Sequence, residues 1–254
     1  MDGLGDPRAM EARSRLDRQR VAVAAGLRTF LRERTNLVLL VILPPLVLVA
    51  FDLALDPLAA APGIDVPDGA AELGGALFAT AFLAGLLGVF QVVGAARSDR
   101  RLRACGYHPL EVFLARLGSI LLACLLVAVL TFGTFLALTD LSPERPLLAL
   151  AALISAAVIY GLLGVVIGFI VGRELEASLL LVFLADVDAF AAIGVVPVEY
   201  AVFEYLPLAA PHALLDGAVV DGTVSTGDLG QLLMTVAAIA VLVVVLVTWR
   251  GELA

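Results

Sequence analysis

The sequence predicts an all-α, polytopic membrane protein with six transmembrane helices, and three observations carry that prediction. Of 254 residues, 61% are hydrophobic and the mean hydropathy is +1.04, well above an ordinary soluble domain. Six almost uninterrupted apolar runs each approach the ~20 residues with which a helix crosses the hydrocarbon. They lack the period-two alternation of barrel strands, so helices are what would satisfy the backbone in lipid. Every basic residue is an arginine, and all but Arg145 fall on one side of these runs.

The elements follow in order. Residues 1–35 form a polar leader and an amphipathic elbow, in which Ala24, Leu27 and Leu31 recur at helical spacing beside Arg28 and Arg32. A basic amphipathic helix of that kind lies flat at the membrane surface. Residues 36–249 form the membrane domain, with spans Asn36–Leu55, Gly74–Ala96, Leu117–Thr139, Leu147–Gly172, Ala177–Val196 and Leu229–Trp249. Pro44-Pro45 in the first span removes two backbone donors and predicts a local kink or unwinding. Gly161, Gly164 and Gly168 align small residues in the fourth span for close helix packing, and the second span carries Gly74, Gly75, Gly85 and Gly88. The segment 197–228 mixes Tyr200, Phe203 and Tyr205 with Pro207 and Pro211 and then an apolar stretch too short to span. It predicts one or two short helices dipping into the outer interface, anchored by tyrosines.

Arginine placement sets orientation, because cationic loops resist translocation. The leader holds eight arginines, Arg8 to Arg34, and the loop after the second span holds Arg97, Arg100, Arg101, Arg103 and Arg116. Both termini are therefore expected in the cytoplasm of a cell-membrane protein. The opposite loops are acidic, within a net charge of −8. The absence of lysine is explained by a GC-rich coding bias, and the acidic balance also fits a high-salt habitat. A secretory signal is not expected, since the first apolar run follows a long charged leader and is itself long enough to span.

Reactive groups are scarce. His108 and His212 fall on opposite sides of the membrane in this topology, Cys105 and Cys124 have no metal or disulfide spacing, and no H-E-x-x-H or serine nucleophile motif is present. A phosphate-binding loop ending in Lys-Ser/Thr cannot occur without lysine. Three acids do lie in apolar surroundings: Asp52 near the outer end of the first span, and Asp186 and Asp188 at the middle of the fifth. A mid-bilayer carboxylate costs ~2.5–3.5 kcal/mol on insertion scales. The two project roughly 200° apart on a helix, so they cannot both face one cavity. Either one of them lines a pathway for cations or protons, or the span boundary is shifted and the pair is held by a neighbouring helix.

The most informative polar segment is the loop 97–116. Its arginines obey the orientation rule, but His108-Pro109-Leu110-Glu111 also reads as a turn with proline entering a new helix, followed by Phe113, Leu114 and Leu117 at helical spacing. A short cytoplasmic helix pair results, basic outside and apolar on one face, suited to docking another protein. Here the chain resembles the membrane subunit of a type-2 ABC exporter. The matching residues are the arginines, the turn, and Pro109-Leu110-x-x-Phe113-Leu114-x-Arg116 leading into an apolar span, with His108 where the family usually has Thr or Ser. Six spans, an amphipathic elbow, prolines in the first span and a proline-interrupted external segment are similar too.

The resemblance implies a permease that pairs as a homodimer or heterodimer, binds no cofactor itself, and works with separate ATPase subunits that carry ATP and Mg. Loop 97–116 would then be the coupling helix, with Arg100, Arg101, Arg103, Tyr107, His108, Pro109, Leu110 and Phe113 at the ATPase. Substrate would pass between the paired permeases along the first, second and fifth spans, near Phe183, Asp186 and Asp188. A lipophilic drug or lipid is the expected cargo and nucleic acid is not an expected partner. The other classes considered are an ion-coupled secondary transporter and a membrane accessory subunit.

Overall fold

The computed structural model describes residues 34–59, 67, 69–94, 109–194, 205–219 and 225–252. Among these it contains seven helices and no strand: α1 (Arg34–Ala59), α2 (Ala70–Val93), α3 (Pro109–Leu138), α4 (Pro146–Val171), α5 (Glu174–Ala192), α6 (Ala209–Val219) and α7 (Thr226–Glu252). The predicted elbow, the loop residues Arg100, Arg101, Arg103, Tyr107 and His108, and the aromatics Tyr200 and Phe203 lie outside the described residues. Five helices are long and apolar enough to cross a membrane, within α1, α2, α3, α4 and α7, which marks a multi-pass membrane protein. The helix expected as a fifth span, α5, is 19 residues long and begins and ends earlier than its apolar run. With Glu176, Asp186 and Asp188 it carries more charged residues than any of the other five spans.

Helices α2 and α4 form the core: 72% and 67% of their spans are buried, against 11% for α7. α4 is apolar on every side, the pattern of a helix surrounded by others. Around this pair, α1 and α5 lie on α2, α3 lies on both, and α6 and α7 lie on α4. Glycine makes the central contact possible. A methyl group at Gly88 would strike the carbonyl oxygen of Gly161, and one at Gly164 would strike that of Gly85. Gly168 lies against the backbone of Val89, while a Cβ on Gly161 would fall 2.5 Å from Cys124 Sγ. The two backbones therefore run side by side at a separation no other residue permits. The predicted Gly161, Gly164 and Gly168 stripe is this seam, and Gly85 and Gly88 are its other half.

Several local expectations need correction. α1 continues through both Pro44 and Pro45 without unwinding, with Pro44 buried. Residues from Pro109 onward do not form a separate cytoplasmic helix; they are the first turns of α3, a continuous helix of 30 residues. No break intervenes because Pro109 occupies the helix start, where its missing N–H has no carbonyl to meet. In the segment before α7 one of the expected short helices is present as α6. α6 is 11 residues long, and Pro211, Leu214, Leu215, Gly217 and Ala218 are buried against the bundle, while Tyr205 is exposed.

Several hydroxyl groups inside the bundle are satisfied within their own helices, although buried Thr131 Oγ1 has no hydrogen-bond partner among the described residues. Thr80 Oγ1 donates to Ala76 O at 2.7 Å, Thr134 to Leu130 O at 2.8 Å and Ser155 to Ala152 O at 2.7 Å. Such back-bonding removes the cost of a hydroxyl in an apolar setting but ties no helix to another. Cohesion comes from close packing.

Gly164→Ala should therefore destabilise the detergent-solubilised protein by about 1–3 kcal/mol, the usual cost of overpacking. Gly133→Ala, with nothing within 4 Å of the added carbon, should be neutral or slightly stabilising through helix propensity. Denaturant titration followed by circular dichroism measures both; equal effects would remove the seam from its central role.

Candidate functional site

One polar cluster links separate elements deep in the apolar bundle. Asp188, on α5, is completely buried. Tyr160 Oη, from α4, donates to its Oδ2 at 2.5 Å. The backbone N–H of Leu208 donates to both carboxyl oxygens, at 3.2 Å and 3.1 Å. Leu208 stands at the N-terminus of α6: its carbonyl accepts the N–H of His212 at 2.8 Å, and Ala209 N–H donates back to Leu206 O at 3.1 Å. Asp188 thus receives a backbone donor that opens a helix, where the dipole favours negative charge. Pro211 in the first turn of α6 has no N–H to leave unsatisfied. The result is a three-element junction in which α4, α5 and α6 meet at one carboxyl group.

The sequence singled out Asp188 but placed it at mid-span. Because α5 ends at Ala192, both acids lie in its last two turns, toward the end where α6 packs. Asp186 and Asp188 do face different ways, as the 200° separation requires. Asp186 is partly exposed on the outer side of α5, next to Phe183, which is 67% exposed. The structure therefore brings Asp188 together with Tyr160 and α6 rather than with Asp186 or Phe183. Phe78 and Phe82 stack on each other, and Phe51 of α1 packs on both Phe78 and Phe190, so these rings fill the core. Asp52 is exposed near the end of α1. His212, on α6, is held neutral by burial, its pKa pushed down to about 4. Among the described residues no three His, Cys, Asp or Glu side chains converge as metal ligands.

Tyr160 escaped the sequence reading, although a signal existed. It is the one phenol on α4, whose only other polar side chain is Ser155, and a buried acid needs a donor. Leu208 could not have been found, because its contribution is a main-chain N–H positioned by the start of α6.

The opposite end of the bundle holds a second junction. The Arg116 guanidinium, on α3, donates to the carbonyl of Gln91 in the last turn of α2. A cation over a helix C-terminus satisfies an orphan carbonyl and complements the dipole. Gln91 Nε2 is buried there without a hydrogen-bond partner among the described residues. Phe113, one turn before Arg116, packs against the bundle core, and the nearby Leu114 is exposed. The turn between α4 and α5 is closed by Gly172 in the left-handed region at φ 70° and by an exposed Arg173–Glu176 pair at 2.6 Å.

No protein-family model matches the chain, and no curated protein matches it.

Tyr160→Phe should lower stability by about 1–2 kcal/mol, as the better interhelical hydrogen bonds in membranes do. Phe183→Ala, at an outward-facing position, should change it by less than about 0.5 kcal/mol. Thermal unfolding in detergent distinguishes the two; a Tyr160→Phe protein as stable as the parent would mean that the phenol contributes nothing to cohesion.

Proposed function

We propose that the chain is the permease subunit of an ATP-driven exporter of the type-2 ABC kind, with six crossings, an interfacial elbow and both termini cytoplasmic. Two copies, or this chain and a related one, would pair, and separate ATPase subunits would supply the energy from ATP and Mg. The cargo would be a lipophilic drug or lipid. α5 completes the six crossings in this reading: its 19 residues extend about 28 Å at 1.5 Å per residue, close to the hydrocarbon thickness.

The observation that carries the reading is the junction of Arg116 with Gln91. A permease driven by a separate motor needs a cytoplasmic handle attached stiffly to the membrane domain. The arginine-rich loop joins α2 to α3 directly, and the pin at Arg116 fastens the start of α3 to the end of α2. α2 in turn is locked to α4 by the glycine seam. A push on the loop would move these helices as a unit, which is rigid-body coupling. Within this reading Leu110 is the better docking contact than Phe113, whose ring is engaged with the core.

Two measurements test the proposal. The native thiol of Cys105 should react with a membrane-impermeant maleimide in inside-out vesicles and not in intact cells; labelling in intact cells would invert the topology and end the reading. Purification of the tagged chain from its native membrane should recover a P-loop ATPase, and Leu110→Asp should lose it while membrane insertion is unchanged. Recovery of no ATPase with the parent chain would favour the accessory-subunit or ion-coupled alternatives.

A further inference from the structure

We propose that the cleft between α1 and α5 binds a lipophilic organic cation, with the charged centre at Asp186 and the apolar body on the ring of Phe82.

Both helices pack on α2 but scarcely on each other, so a strip of α2 forms the floor between them. Phe51 of α1 and Phe190 of α5 close the cleft toward the C-terminal ends of those helices, with ring centroids 5.4 Å apart. Phe78 of α2 lies beneath, 5.5 Å from Phe51, and Phe82 stacks on it at 5.7 Å, one turn further along. Phe78 is buried, whereas Phe82 keeps part of its ring exposed. Asp186 precedes Phe190 by one turn and so projects from the same face of α5, the one turned toward α1. Its level follows from contacts on either side of it. Leu181 lies against Gly85 and Ile193 against Gly74. α5 and α2 therefore run antiparallel, and Asp186 falls opposite the stretch between Phe78 and Phe82. A partly exposed carboxyl group and a partly exposed ring share one level of one cleft.

The chemistry of that pair selects the occupant. A carboxyl group among aliphatic side chains calls for a cation or a hydrogen-bond donor. Asp186 has neither among the described residues. A hard metal ion needs several oxygen ligands, and no three His, Cys, Asp or Glu side chains converge among the described residues. An organic cation has a weaker hydration shell to lose and is attracted by the face of an aromatic ring. Phe183, one turn before Asp186 and exposed, adds a second ring for its apolar body. The site stands on these contacts alone. Within the exporter reading, on which only this clause rests, it narrows the cargo to organic cations.

The test uses the full chain in phosphatidylcholine nanodiscs without any ATPase. The exporter reading can therefore fail on co-purification with the cleft intact, or survive with the cleft empty. Equilibrium dialysis against tetraphenylphosphonium, corrected with empty nanodiscs, should show saturable binding. Tetraphenylborate, of similar size and opposite charge, should not exceed the empty discs. Asp186→Asn should weaken phosphonium binding about tenfold and Phe82→Leu about fivefold. Asp186→Glu, which restores the charge, should stay within about threefold of the parent. Asp52→Asn controls for diffuse charge, since Asp52 is exposed on α1 beyond Phe51; it should change Kd by less than about twofold. Absence of saturable binding, equal binding of the borate, or equal losses in Asp52→Asn and Asp186→Asn would overturn the proposal. So would an Asp186→Asn protein that binds normally but no longer self-associates, since the carboxyl group would then belong to a contact between copies.

Discussion

The contact of α2 with α4 through bare backbone is the constraint on which the rest of this structure depends. Lipid offers helices no hydrophobic reward for association, since side chains buried between helices leave one apolar medium for another. Attraction has to come from many close van der Waals contacts, and these fall off within fractions of an ångström. Gly85 and Gly88 facing Gly161, Gly164 and Gly168 give the shortest approach available to two helices. Once those two lie together, their remaining surfaces define seats for the others. Leu181 of α5 fills the space beside Gly85, and Phe51 of α1 lies over Gly74 and Gly75.

A core made this way leaves few places for polar groups, and the Tyr160–Asp188 pair is buried within it. The hydroxyls of Thr80, Thr134 and Thr139 bond back to their own helices, whereas that of Tyr160 crosses from α4 to α5. The cross-links that do occur have distinct characters. At one end a cation meets a helix C-terminus, Arg116 on Gln91. At the other an acid meets a helix N-terminus, Asp188 on Leu208. Each pairing has the sign that the helix dipole favours. Arg116 joins α3 to α2, while Asp188 joins α5 to α4 through Tyr160 and α6 to α5 through Leu208.

How much of this was legible in the residues depends on the kind of interaction. Hydrophobic runs fixed where helices lie, because burying a backbone in hydrocarbon leaves no other solution. The glycine stripe of α4 was legible as a packing face, since small residues at i, i+3 and i+7 serve no other purpose so consistently. Pro44-Pro45 pointed to a kink or unwinding, and α1 stays helical through both, so the lost donors do not end the helix. The far boundary of α5 was misplaced: the apolar run continues to Val196, whereas α5 ends at Ala192. Tyr160 was overlooked because its partner lies 28 residues away, and no periodicity spans that distance. α6 was legible as short and apolar, yet its burial follows from the space left beside α4, which no single segment encodes.

The two acids of α5 face different ways. Asp188 turns inward and is fully satisfied, so it asks nothing of the surroundings. Asp186 turns outward among Leu179, Phe183 and Val187, which are exposed on the single chain. A carboxyl group set into that face would cost ~2.5–3.5 kcal/mol if it met the middle of the hydrocarbon. Its position in the last two turns of α5 reduces the cost but does not remove it, since aliphatic residues surround it. The inexpensive arrangement is cover by protein or by water held between proteins. α1 lies beside this face through the contact of Phe51 with Phe190, and it carries Asp52 exposed near the same end. Two neighbouring helices thus present acids on surfaces that are otherwise aliphatic. The outward face of α3 is by contrast apolar, with Leu121, Leu122, Leu125, Val129 and Leu136 exposed on it.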